Sequence, residues 1–515
     1  MTLRLISVAG LFALALAVGL YVARPLRSAS IGFDSQVAVV DFARLLAGRH
    51  VEVFLSTTPK PLLTVIFGPL QLLSHDWRTL AWATLLAFGL GTVLTAELAR
   101  RIGGNLAWLF VGVGLVGSGA LLFDVGYALA IPWALIGWAI AGLAISGPRP
   151  RFEIAGIALL VASLARLETL LIVAAAGAVL VGFELPAVSR AAGKLGVARP
   201  PRRAWLVMLA LIALPVMGLH DLLIYGDPLF WTTVPARYSA VTSRPILAAP
   251  GLLRWLVERY VGLWPLVALA VAGGVRLVRT RSWGVLVGLA GLGPAMFALL
   301  LILALRHIYV PDRYAAPIDL SLILAAGIGT AWLLEGAIVR FNAPPARATA
   351  AAAVVAVALA VVATWPGGIL DSTLTGPIRT SLALAADVDQ MLPALRQVVD
   401  AAPGARTWPG TVSATADGPT PALLLVPLPY RPGLSIDLDA PLTTIGPIVP
   451  NRVGLPGVYP AAGQYVAHDR HADGSYAAFR WYESSATQSV NGVRVVPVAS
   501  DPGRGWWITR IDPAQ

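Results

Sequence analysis

Acidic and basic side chains are scarce in this chain, and a few of them stand in patterns that chemistry could use. Asp34 and Asp41 are seven residues apart, so on a helix they share one face, with Arg44 one turn beyond. Lys60 stands in Thr58-Pro59-Lys60-Pro61-Leu62-Leu63. Later come Leu122-Phe123-Asp124, Ala165-Arg166-Leu167-Glu168 and Gly226-Asp227-Pro228-Leu229-Phe230, then the cluster of Arg306, His307, Asp312, Arg313 and Tyr314. A carboxylate within hydrogen-bond reach of a hydroxyl can take its proton. Fixed cations in a water-poor site can hold an anion as its charge develops. Each position also has a plainer use. Asp34 could cap a helix, and Asp41 could form a solvated ion pair with Arg44. Arg166 and Glu168 could be a simple pair at a membrane edge, and the Arg306–Tyr314 stretch an interfacial loop. Asp124 could orient a substrate, share a metal with Asp34, or cap the helix that follows.

The elements that must position these residues are membrane helices. The chain is 57% hydrophobic and 13% charged over 515 residues, with a mean hydropathy of +0.75, too apolar for a soluble surface. About eleven apolar segments approach the roughly 20 residues that cross a bilayer as a helix. They are 5–23, 79–98, 105–122, 125–145, 153–165, 169–184, 204–223, 260–276, 283–304, 315–334 and 349–366. Arg4, Arg100 with Arg101, Arg149 with Arg151, Arg190 to Arg203, Arg276 to Arg281, and Arg340 with Arg347 fall on every second loop. The positive-inside bias puts those loops and the N-terminus in the cytoplasm. The formal charge of +11 is then a matter of topology, and nucleic acid is set aside as a partner.

The first loop, 24–78, lies outside in this register. Its apolar stretch 59–74, broken by Pro59, Pro61 and Pro69, reads as an interfacial helix, because a crossing there would invert every later loop. Ala23-Arg24-Pro25 gives no good cleavage site, so 5–23 reads as the first span and not as a signal peptide. The Tyr225–Arg259 loop, with an amphipathic run at Leu252–Tyr260, also faces outside. So does 367–515. It reads as a small α/β or α+β domain with a helix near 381–399 and strands near 422–427, 465–468 and 492–498. With no cysteine, it must be held by packing alone. The expected fold is therefore an all-α polytopic membrane domain over 1–366, with exterior interfacial helices, joined to this exterior domain.

In order and on the expected outer side, the polar motifs resemble those of the GT-C superfamily of membrane glycosyltransferases. The likeness is greatest to the protein-mannosyltransferase and aminoarabinose-transferase branch. There an acidic residue after the first span is followed by Lys-Pro-Pro-Leu or His-Pro-Pro-Leu, here Asp34-Ser35 and Lys60-Pro61-Leu62. Asp124 matches the second exterior Asp, Arg166-Leu167-Glu168 the Arg-Pro-Glu turn, Gly226-Asp227-Pro228 a Gly-Asn-Pro, and Arg313-Tyr314 an Arg-Tyr at the outer edge. Ser35 stands where a second acidic residue is usual, and Glu168 lacks the preceding Pro.

The resemblance implies inverting transfer of a sugar from a polyprenyl-phosphate carrier to a hydroxyl of a glycan, lipid or protein, at the outer face of a bacterial plasma membrane. Asp34 would be the general base, with Asp124 as a second catalytic carboxylate. Lys60, Arg313 and Arg306 would hold the donor phosphate. Asp41, Arg166, Glu168, Tyr314 and Asp227 would line substrate. No cofactor is certain; a divalent cation is compatible with the carboxylates, whereas a tight zinc site is not, for want of nearby histidines. The alternative from another class is a flippase or transporter of lipid-linked sugars. Such proteins commonly carry internal repeats and midplane charges. This sequence has no repeat, and its polar residues gather at the expected outer ends of spans.

Overall fold

The computed structural model describes residues 2–23, 33–48, 58–74, 78–126, 128–194, 197–233, 249–306 and 312–340. In the C-terminal part it describes 406–407, 411–415, 418–424, 464–469, 486–490, 493–503 and 506–513. Everything described up to Arg340 is helix or short connection. The helices are α1 (Thr2–Ala23), α2 (Phe33–Ala47), α3 (Pro61–Ser74), α4 (Arg78–Val116), α5 (Gly119–Gly126), α6 (Ile131–Ile145), α7 (Phe152–Ala165), α8 (Leu170–Glu184) and α9 (Pro186–Lys194). Then follow α10 (Ala213–Tyr225), α11 (Ala249–Gly262), α12 (Trp264–Arg279), α13 (Trp283–Ala290), α14 (Met296–Leu305) and α15 (Ala316–Arg340).

Among the described residues five helical stretches are long and apolar enough to cross a membrane: Arg78–Val116, Leu167–Glu184, Arg202–Tyr225, Trp283–Leu305 and Ala316–Arg340. A sixth is formed if α11 and α12, bent by 81° at Leu263, count as one span. Shorter apolar helices lie at Ile6–Tyr21, Pro61–Ser74, Ile131–Ile145 and Phe152–Ala165. This is an all-α polytopic membrane domain. Helices occupy the positions of the expected spans, except 349–366, which lies outside the described residues.

α4 needs separate treatment, because 39 residues would make a rod of about 58 Å if straight. A Cβ on Gly89 would meet Phe12 and Leu16, and one on Gly112 would meet Leu11. Residues 23 apart on a straight helix could not both reach one turn of α1, so the chain must reverse between them. It does so at Gly103 (φ −125°, ψ 16°) and Gly104 (φ 76°, ψ −169°), the second of which only glycine adopts readily. The two halves form a hairpin around α1. The expected boundary between spans 79–98 and 105–122 falls at this point.

Other breaks depart from the expected spans. The run 105–122 ends at Val116 and restarts at Gly119, and 125–145 is divided by the turn at Ala128 (φ 55°). Hydropathy is continuous across both breaks, so averaging over a window hides them. Between α13 and α14 the helix widens into a π turn over Gly291–Ala295, where Pro294 has no N–H to give.

The largest apolar core runs between α1, α4, α6, α7 and α15, with Leu11, Phe88, Leu115, Leu135, Ala162 and Ile328 buried. Apolar side chains such as Leu86, Ile157, Val271 and Ile302 are exposed, as lipid-facing positions require. α12 and α15 approach backbone to backbone, because Gly273 and Gly329 offer no Cβ against Ala325 and Leu269. One end of the bundle collects basic residues. Arg4 pairs with Glu97 at 2.5 Å, Arg100 with Glu97 at 2.8 Å, Arg101 donates to the Leu143 carbonyl, and Arg276 faces Glu335.

In the C-terminal part, β1 (Arg406–Thr407), β4 (Gln464–Asp469), β5 (Gln488–Val490), β6 (Val493–Asp501) and β7 (Trp506–Pro513) form a sheet of order β1-β4-β7-β6-β5. β2 (Thr411–Thr415) and β3 (Gly418–Leu424) make a separate antiparallel pair. The expected strands 465–468 and 492–498 overlap β4 and β6, and 422–427 shares 422–424 with β3, its remainder lying outside the described residues. The expected helix near 381–399 lies outside the described residues.

Candidate active site

Lys60 lies between two prolines, Pro59 and Pro61, both buried. Pro61 disfavours the helical conformation at Lys60 and is itself suited to the first position of a helix. The Lys60 carbonyl duly accepts the first bond of α3, from Thr64 N at 3.1 Å. Its Nζ donates to the Thr58 carbonyl at 3.0 Å and pairs with Asp34 Oδ2 at 2.7 Å. Asp34 lies in the first turn of α2, inside the helix and not before it as a cap would be. A carboxylate suits that turn because the helix dipole presents positive charge there. The pair is nearly enclosed, at 13% exposure for Lys60 and 6% for Asp34.

Three further groups of expected residues surround this pair or the helices that carry it. Ser35 Oγ donates to the Ala128 carbonyl at 2.5 Å, joining the start of α2 to the turn after Asp124. Asp124 is fully buried. Its Oδ2 accepts from Ile131 N at 2.9 Å, holding the first turn of α6, so of its three expected uses the helix-capping one has a bond on record. Arg166 and Glu168 form a two-pronged pair, at 2.8 and 3.2 Å, with Arg166 buried and its guanidinium 5.8 Å from the Tyr314 ring centre. Lys60 is within electrostatic reach of Glu168. Asp41 is buried and accepts from the Tyr225 hydroxyl at 2.7 Å.

The remaining expected residues lie otherwise. Asp227 Oδ1 accepts from Leu229 N at 2.9 Å and so closes its own turn. Arg306 is exposed at the end of α14. The Arg313 side chain lies outside the described residues. Among the described residues no three His, Asp or Glu side chains converge as metal ligands. A separate cavity of about 380 Å³ between α4, α6, α7, α8, α13 and α15 is almost wholly apolar, and no expected site residue lines it.

No family profile matches the chain, and no curated protein does so by sequence. Solved structures do match in fold. The crystal structure of ArnT from Cupriavidus metallidurans bound to undecaprenyl phosphate superposes over 98% of this chain and 97% of its own, with 16% identity and a TM-score of 0.51. The apo structure of the same protein gives 98% of each chain, 16% and 0.50. The chain shares the fold of this protein. α7 runs from Arg151, beside the basic end, to Arg166, so the Arg166–Glu168 pair lies away from that end.

Two polar groups of this chain escaped the sequence reading. His220 Nδ1 lies 3.0 Å from Asp221 Oδ1, and its Nε2 lies 3.2 Å from Thr64 Oγ1. Asp319, in the first turn of α15, holds Arg259 at 2.6 Å and Tyr260 at 3.1 Å. The available signal was an ionisable residue inside an apolar span, which normally marks a partner or a function.

Proposed function

We propose that the chain is an inverting glycosyltransferase that moves a sugar from a polyprenyl-phosphate carrier to an acceptor hydroxyl at the outer membrane face. The observation that carries this reading is the enclosed Asp34–Lys60 pair, built from the first turn of α2 and the residue immediately before α3. The superposed ArnT structure, described as bound to undecaprenyl phosphate, supports a carrier of that class.

Asp34 accepts the proton of the attacking hydroxyl as the bond from sugar to phosphate breaks on the opposite face of the anomeric carbon. Lys60, immediately before α3, presents its ammonium to the departing phosphate, whose charge the N-terminal end of the α3 dipole also favours. Donor binding thus draws Lys60 away from Asp34, and the carboxylate becomes available as a base when the leaving group is in place. Arg166, Glu168 and Tyr314 border the donor, with Arg306 and Arg313 as further phosphate contacts; Asp124, Asp41 and Asp227 shape the surroundings. This reading carries the eleven-span topology with a cytoplasmic N-terminus, in a bacterial plasma membrane, and an exterior domain over 367–515. The donor sugar is a hexose or pentose, and the acceptor a glycan, lipid or protein.

The test is release of free polyprenyl phosphate from a panel of polyprenyl-phosphate sugars by purified protein with crude envelope acceptors. Release by wild type that vanishes in Asp34→Asn is the expected result. No release with any donor, combined with donor movement across vesicles that ignores Asp34→Asn and Lys60→Ala, would replace the transferase by a flippase.

A further inference from the structure

One buried face of α10 touches both elements that carry the Asp34–Lys60 pair. His220, Asp221, Ile224 and Tyr225 are all buried and recur at the spacing of a single helical face. From that face the Tyr225 hydroxyl reaches α2, donating to Asp41 Oδ2 at 2.7 Å, two helical turns from Asp34. His220 reaches α3, placing Nε2 3.2 Å from Thr64 Oγ1, one turn from Lys60. Both contacts are themselves supported from behind. Asp221 Oδ1 faces His220 Nδ1 at 3.0 Å and fixes the ring, while Oδ2 accepts from Trp231 N at 2.8 Å. The Tyr225 ring stacks on Phe230, with centres 4.0 Å apart and planes 18° from parallel. The chain can fold back so tightly because α10 ends at Gly226 with φ 71°.

We propose that His220 and Tyr225 are positioning residues: by holding α3 and α2 to a common rigid helix, they set the separation of Lys60 and Asp34. The proposal rests on the reading that this pair does the chemistry. Reacting groups must be held to within a fraction of an ångström, which a pair on two separate short helices cannot achieve by itself. α10 supplies the shared reference. Asp221, with Phe230 and Trp231, orients the two contacts and touches neither member of the pair.

The chain's two lysines permit a test that does not depend on turnover. Amine acetylation of the full-length protein in detergent, followed by mass spectrometry, reads Lys60 against the exposed Lys194. Lys60 of the wild type reacts slowly. In His220→Ala and in Tyr225→Phe its rate relative to Lys194 rises by about tenfold, as loss of one buried hydrogen bond implies, and kcat for transfer falls by a similar factor with donor KM little changed. His220→Gln, whose amide can meet the Thr64 hydroxyl, recovers both values. An unmoved Lys60 rate in Tyr225→Phe, in Thr64→Val and in a His220→Ala protein that elutes like wild type overturns the proposal. If wild type transfers no sugar while Lys60 labelling still responds to these changes, the transferase reading fails and the positioning role stands.

Discussion

Asp34 and Lys60 neutralise each other in an enclosed site, so the two residues should fail in different ways when changed. Asp34→Asn keeps the shape and removes the proposed base. Transfer should fall by about 10²–10⁴-fold while donor binding persists, as turnover and donor-binding assays would record. Lys60→Gln leaves a buried carboxylate without that cation, a loss of roughly 3–5 kcal/mol in comparable sites. Its thermal midpoint should therefore drop, and the double change Asp34→Asn/Lys60→Gln should melt higher than Lys60→Gln alone. Midpoints in the opposite order would mean that the pair contributes little to holding α2 against α3. At this scale the sequence was informative where a charge stood in a recognisable frame, as Lys60 does between prolines. It was silent on His220 and Asp221, because apolar neighbours on both sides absorb two polar residues into one hydrophobic span.

α2 and α3 meet where Gly68 lies under the Phe42 ring, and a Cβ there would occupy the ring's place. Gly68→Ala should push the helices apart, lower stability by about 1–3 kcal/mol and reduce transfer although no polar group is altered. A variant that keeps full activity and its melting point would show that the ring can move aside. Helix existence and order were readable from hydropathy, and the Gly103-Gly104 reversal from the arginines beside it. The breaks at Gly117–Ser118 and around Ala128 were not, since tertiary contacts impose them on apolar runs. The Ser35 bond to the Ala128 carbonyl is one such contact, linking positions 93 residues apart.

The whole chain lacks cysteine, so single introduced thiols can map its orientation. In intact cells, Ser489→Cys on β5 should react with a membrane-impermeant maleimide, and Ala191→Cys on α9 only after permeabilisation. The reverse pattern would invert the proposed topology. α7, starting after Arg151 at the basic end, has 14 residues and rises about 21 Å before Arg166, against roughly 30 Å of hydrocarbon. In the proposed topology the Arg166–Glu168 pair is therefore sunk below the outer headgroups. On the proposed transferase reading an acceptor has to descend to that depth, which slender chains and lipid headgroups can do and the flat faces of folded proteins cannot.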